Sequence, residues 1–231
     1  MNGANHPTIH HQNMKNNKKP VLHFTHFDIS HIKNMKTTII LTVIFLTTMT
    51  GIRLWASESS RSIEEYPYTV LQSYPGFEVR LYEQAIFART HIDAETYRSG
   101  SGNGFRTLAS YIFGGNDRNE GIAMTAPVAM RWDDGMVMEF MMPSKYSLET
   151  LPAPNRGDIE LYEKPAVIMA GLTFGGWAND RRIAQKIREL SDLLEEHGIR
   201  HNGQFQFFGY DSPYKMVNRR NDIVVQVEGW E

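Results

Sequence analysis

Apolar and polar residues alternate over Phe77–Tyr82, with Phe77, Val79 and Leu81 on one side and Glu78, Arg80 and Tyr82 on the other. A period of two is the mark of a half-buried strand. Ala85–Ile92 reads as a second strand, either a hairpin partner of the first or its continuation after a bulge. Tyr97–Gly104 holds three glycines and two serines and reads as a loop. The period then changes. Phe105, Leu108, Ala109 and Ile112 recur at helical spacing and predict a helix with one apolar face, ended by Gly114-Gly115-Asn116. Gly121–Met130 is almost wholly apolar and carries Pro127. Proline removes a backbone donor and clashes with a preceding helical turn, so this run predicts a buried strand broken at Ala126-Pro127. A turn at Asp133-Asp134-Gly135 leads to a strand over Met136–Met142, closed by Pro143.

The same order follows again. Ile159–Glu163 and Val167–Phe174 read as strands. Asn179 is a good N-cap for a helix to about His197, with Ile183, Ile187, Leu190 and Leu194 as its stripe and Gly198 as its stop. Phe205–Gly209 and Ile223–Val227 are the last strands, and Ser212-Pro213 reads as the counterpart of Ala126-Pro127. Strand–strand–helix–strand–strand thus occurs twice, with Leu81-Tyr82-Glu83 echoed about 80 residues on by Leu161-Tyr162-Glu163. This predicts an α+β fold: two pseudo-repeats of antiparallel strands, each with one helix, forming a distorted β-barrel flanked by two α-helices.

Five stretches carry a resemblance. I-A-M-T-A-P-V at Ile122–Val128, F-E-V-R-L-Y at Phe77–Tyr82, L-A-S-Y-I-F-G-G-N at Leu108–Asn116, F-G-G-W-A at Phe174–Ala178 and G-Y-D-S-P-Y-K at Gly209–Lys215 resemble the SOUL haem-binding protein family, in the family's order. The resemblance spans roughly Tyr66 to Glu231. It implies the same architecture, kinship with the effector-binding domains of bacterial multidrug-response regulators, and a non-enzymatic role in binding haem or another tetrapyrrole. In some family members a His follows the strand motif; here that position is Leu81. The expected mode is therefore non-covalent, with the porphyrin held mainly by an apolar pocket and no protein ligand to the metal.

The first 56 residues differ from the rest. Residues 1–34 are rich in Asn, Lys and His and read as a disordered or mis-assigned extension upstream of the true start. Residues 35–56 have a basic start at Lys36, an apolar run from Ile39 to Met49 and Ala56-Ser57 at a cleavage point. This is a signal peptide, or else an uncleaved anchor over residues 37–55. Residues 57–231 are then the mature SOUL-type domain, exported and periplasmic if the source is bacterial, or held at the inner membrane if the anchor stays. The cut removes six basic residues and Asp28, leaving 18 basic and 25 acidic residues, a net charge of −7. Nucleic acid needs clustered cations, so it is not an expected partner.

The chain has no cysteine, which excludes thiolate chemistry and covalent haem attachment. No motif of a nucleophile elbow, zincin helix or phosphate loop is present. The mature domain keeps three histidines, His91, His197 and His201, scattered along the chain. A porphyrin needs an apolar platform and cations for two propionates. The residues expected to supply them are Phe105, Leu108, Ala109 and Ile112 on the first helix, Met124 and Met130 beside it, and the cations Lys215, Arg219 and Arg220 on the loop after Ser212-Pro213, with Lys215 at the rim. The competing function is an effector-type module for another amphipathic small molecule, without haem.

Overall fold

The computed structural model describes residues 63–212 and 214–230. The leader and the upstream extension lie outside the described residues, as does Pro213. The elements are β1 (Glu64–Glu65), β2 (Tyr68–Tyr74), β3 (Phe77–Tyr82), β4 (Ala85–Ile92), α1 (Tyr97–Ile112), β5 (Thr125–Ala126), β6 (Val128–Trp132), β7 (Met136–Met141), β8 (Glu160–Lys164), β9 (Val167–Gly175), α2 (Asp180–Glu196), β10 (Gln206–Gly209) and β11 (Arg220–Gln226). Nine strands form one sheet in the order β2-β3-β9-β11-β10-β6-β7-β4-β8, every pair antiparallel. The sheet curls into a half-barrel, so the distorted barrel flanked by two helices is borne out.

The duplication is legible in that order. β6 and β10 pair at the centre, and outward from them run β7-β4-β8 on one side and β11-β9-β3 on the other. The first strand of each repeat is exchanged: β3 of the first repeat pairs with β9 of the second, with β2 beyond it at the edge, and β8 of the second pairs with β4 of the first. β4 is accordingly not a hairpin partner of β3, nor its continuation. The connection Ser212 follows β10 while Ala126 precedes β6, so these two are not counterparts. Within Gly121–Met130 the ladder begins only at Thr125, and the cis peptide Ala126-Pro127 separates β5 from β6.

The first helix starts eight residues earlier than the sequence pattern predicts. Thr96 and Ser99 cap it reciprocally: Thr96 Oγ1 accepts from the Ser99 backbone at 3.1 Å, and Ser99 Oγ accepts from the Thr96 backbone at 3.3 Å. Gly100 and Gly104 are buried helical residues because the helix lies close against the sheet. A Cβ at Gly100 would sit 2.8 Å from Met136 Sδ and 2.9 Å from Ala94 Cβ, and one at Gly104 would sit 2.8 Å from Ile92 Cδ1. Glycine here answers a packing demand, not a turn.

Both helices cover one face of the sheet, where Leu108, Ile112, Ile183, Leu190 and Leu194 pack on Val79, Met138, Leu172, Phe207 and Val225. The other face is different. Tyr66, Tyr82, Phe87, Phe208 and Tyr210 form a second cluster there. Tyr66 packs 4.8 Å from Tyr82 and 5.2 Å from Phe87, centroid to centroid. Two buried ion pairs share this face. Asp222, 0% exposed, accepts from Arg80 Nη1 and Thr173 Oγ1 at 2.8 Å and from the Tyr210 hydroxyl at 3.1 Å. Glu139 accepts from Lys164 Nζ and the Tyr162 hydroxyl, both at 2.6 Å. A Cβ at Gly171 would lie 2.8 Å from Arg80 Nη1, so the missing side chain is what lets the guanidinium cross β9.

Burial raises the Glu139 pKa, but the Lys164 charge, the hydrogen bonds from Lys164 and Tyr162 and the Arg131 charge outweigh it and hold the carboxyl below the ordinary glutamate value. A depressed folded pKa gives stability that is present above the unfolded value and lost as pH falls through the folded one. Acid melts should therefore show Glu139→Gln less stable than wild type near neutrality, with the gap closing below about pH 4. Asp222→Ala should cost about 3–5 kcal/mol in a urea melt, because it strands Arg80 without its partner. On the first helix, Gly102→Ala should stabilise by up to about 1 kcal/mol, since that site is exposed and open. Gly100→Ala should instead lose about 1–3 kcal/mol to overpacking.

Candidate functional site

The sequence places a porphyrin platform on the first helix. In the structure Leu108 and Ile112 are fully buried, and Ala109 is buried with them. Phe105 is half-buried and packs on Phe140, with centroids 5.4 Å apart. Met130 belongs to the same core, and Met124 is half-buried against it. These six residues are thus brought together, and together they build the helix–sheet core. Lys215 stands apart from them, on the connection from β10 to β11. It is exposed, and its Nζ pairs with Asp211 Oδ1 at 2.5 Å.

That connection has its own neighbourhood. Asp211 Oδ2 accepts from the Arg220 backbone N–H at 2.5 Å. Partial burial raises the Asp211 pKa, yet the hydrogen bonds from Lys215 and the Arg220 N–H, with the Lys215 and Arg219 charges, bring it below the usual aspartate value. The Arg219 guanidinium lies 4.2 Å above the Trp177 ring and donates to the Ser212 and Lys215 carbonyls. Trp177 follows β9 and precedes α2, and Arg219 links it to the connection that starts in the stretch Gly209–Lys215. Trp177 is 50% exposed, Tyr214 89%, Met216 78% and Val217 72%. A soluble surface ordinarily scatters such residues singly. Here they cluster.

Beside them the N-termini of α1 and α2 meet. The Tyr97 backbone N–H donates to Asp180 Oδ1 at 2.6 Å, and Asn179 Oδ1 caps α2 by accepting from Arg182 at 3.0 Å. An open groove of about 400 Å³ lies at this junction, lined by Tyr97, Arg98, Ser101, Ala178, Asn179, Asp180 and Arg181. Burial raises the Tyr97 pKa, and the Arg219 charge opposes the shift. The corner therefore offers flat aromatic and apolar surface next to several cations.

The histidines are occupied elsewhere. His91 is exposed on β4. His197 caps α2, its Nδ1 2.8 Å from the Leu193 carbonyl, with its ring edge-on to Tyr74. His201 Nδ1 accepts from the Gly203 backbone at 3.1 Å. Among the described residues, no three His, Cys, Asp or Glu side chains converge on a metal position. The residues at the corner fit a porphyrin ring and its propionates. They do not offer the iron a histidine.

The family's sequence profile, described as SOUL heme-binding protein, matches residues 63–226. The chain belongs to the SOUL family. Heme-binding protein 1 of Xenopus laevis is 26% identical over 155 residues, covering 64% of this chain and 81% of its own length. Heme-binding protein 2 of Homo sapiens is 26% identical over 159 residues, covering 64% and 77%. Among solved structures, the EcmrR C-terminal domain aligns with a TM-score of 0.51 at 14% identity, over 70% of this chain and 98% of that one. An uncharacterized conserved protein from Listeria innocua aligns at 0.51 and 9% identity, over 66% and 92%. These likenesses show that the SOUL domain shares its fold with both.

Sequence reasoning passed over Trp177, Tyr214, Tyr97, Arg98 and Arg181 as site residues. The signal was present in two of the family stretches, which contain Trp177 and Tyr214, but the link between those stretches runs through Arg219, which no sequence spacing reveals. Two stability measurements separate the core from the corner. Leu108→Ala should destabilise the domain by about 2–5 kcal/mol, as a large-to-small change in a packed core. Lys215→Ala should stay within about 0.5 kcal/mol of wild type.

Proposed function

We propose that this SOUL-family chain is a non-enzymatic haem-binding protein whose porphyrin rests at the corner formed by Trp177, the β10–β11 connection and the groove between the two helix N-termini. The observation that carries the reading is the exposure of Trp177, Tyr214, Met216 and Val217, with Arg219 joining Trp177 to the connection that holds the other three and with Arg98 and Arg181 lining the groove that begins at Ala178. Porphyrin faces favour aromatic and polarizable side chains, and propionates favour cations. Names of relatives support the ligand class, since Heme-binding proteins 1 and 2 are similar over most of their own length. Of the residues first expected from sequence, Lys215 keeps its role at the rim. Phe105, Leu108, Ala109, Ile112, Met124 and Met130 act by supporting the helix that walls the groove.

Recognition of the ring rather than the iron follows from the distant histidines. Metal-free protoporphyrin should bind with an affinity similar to that of haemin. Replacing His91, His197 or His201 by Ala should leave the haemin Soret band nearly unchanged. Trp177→Ala should weaken haemin binding by roughly three- to tenfold, the worth of a lost aromatic contact. Lys215→Ala should weaken it by up to roughly fivefold, the worth of an exposed charge pair. Absorbance titrations of these variants test the reading. A histidine variant that loses the Soret band would sink it, and so would full affinity in Trp177→Ala. If haemin fails to bind at all, the second reading, another amphipathic ligand at the same corner, takes its place. Export from the cytosol is part of the proposal, motivated by residues 35–56. N-terminal sequencing of the protein from its host should find Ser57 or a residue near it.

A further inference from the structure

The same corner has a property that haem binding does not require. Its apolar side chains project from a connection rather than lining a closed cavity: Tyr214, Met216 and Val217 are consecutive but for Lys215. Its cations are only partly matched: Lys215 pairs with Asp211, whereas among the described residues no carboxylate lies within salt-bridge distance of Arg98 or Arg181. Asp180, which also lines the groove, accepts from the Tyr97 backbone. The mature domain as a whole is acidic, with 18 basic and 25 acidic residues. A local surplus of arginine on an acidic domain orients the molecule in the field of an anionic surface.

We propose that this corner docks the domain on an anionic lipid bilayer. Aromatic and methionine side chains beside arginines match the membrane interface, where apolar area sits among the acyl chains and the cations meet lipid phosphates. A folded protein partner would be recognised by a shaped apolar surface with few uncompensated charges. Arg98 and Arg181, both exposed and without a carboxylate in salt-bridge distance, favour a surface that is itself negative. Docking is peripheral: no helix among the described residues is long and apolar enough to cross a membrane. A lipid-seated corner would also meet haem where that hydrophobic ring accumulates, but docking does not depend on haem.

The chain contains no cysteine, which gives a direct test on the full-length protein. Met216→Cys carries an environment-sensitive NBD label at the corner. Glu163→Cys carries the same label at an exposed position on β8. Haem-free protein is mixed with vesicles of phosphatidylcholine alone or with 30% phosphatidylglycerol (roughly the anionic content of many bilayers). The label at 216 should brighten and shift to the blue with anionic vesicles and much less with neutral ones. The label at 163 should not respond. Adding Arg98→Ala and Arg181→Ala should weaken the response at 216 by roughly twentyfold at low salt. No response at 216, an equal response with neutral vesicles, or indifference to the two arginines would each overturn the proposal. A haemin titration of the same doubly substituted chain, free of vesicles, reports separately on the porphyrin reading.

Discussion

Each repeat of this chain lacks a complete sheet of its own. The first strand of each hydrogen-bonds to the other repeat, β3 to β9 and β8 to β4. That exchange fixes much else. It carries Arg80 of β3 across Gly171 to Asp222 and sets Lys164 of β8 beside Glu139 of β7. It also fixes where α1 and α2 begin, because each helix follows a strand held by the opposite repeat. The N-termini converge as a consequence, and the groove between them exists only when both repeats are in place.

The two faces of the sheet divide the work. The helix face is apolar and closed, so its residues supply stability and little chemistry. The opposite face buries charge, but each charge is matched and hydrogen-bonded, which is how such groups persist in a dry interior. Exposed apolar area and arginines without a salt-bridge partner lie at the corner, on connections and helix starts rather than on the sheet, which is why the proposed site is placed there. Placing binding residues on connections above a rigid scaffold is a common arrangement, since connections can vary without unfolding the core.

Much of the fold was legible in the sequence because period-two and helical spacing mark the elements, although β3 is buried at Arg80 and Tyr82 and exposed at Leu81, the reverse of its apolar alternation. The α2 stripe and its Asn179 cap, the β7 face of Met136, Met138 and Phe140, and the break at Pro127 all stand as read. Gly100 and Gly104 misled because glycine serves turns and close packing alike, and only the partner across the gap tells which. The strand exchange was hidden because alternation names a face, not a neighbour. The candidate site was less legible than the fold. Leu108 and Ile112 have the composition of a platform, yet a stripe that fills a core has no area left over. Trp177 and Tyr214 lie 37 residues apart in sequence, and no spacing rule connects them.

The central claim is the position of the ligand, and a residue-resolved map of binding tests it most directly. Amide spectra of the isotope-labelled protein can be followed as diamagnetic zinc protoporphyrin is added. Shifts should concentrate in residues 97–101, 175–182 and 211–220, with the interior of α1 from Leu108 to Ile112 almost still. Shifts centred on Leu108, Ile112, Met124 and Met130, with the corner unmoved, would contradict it.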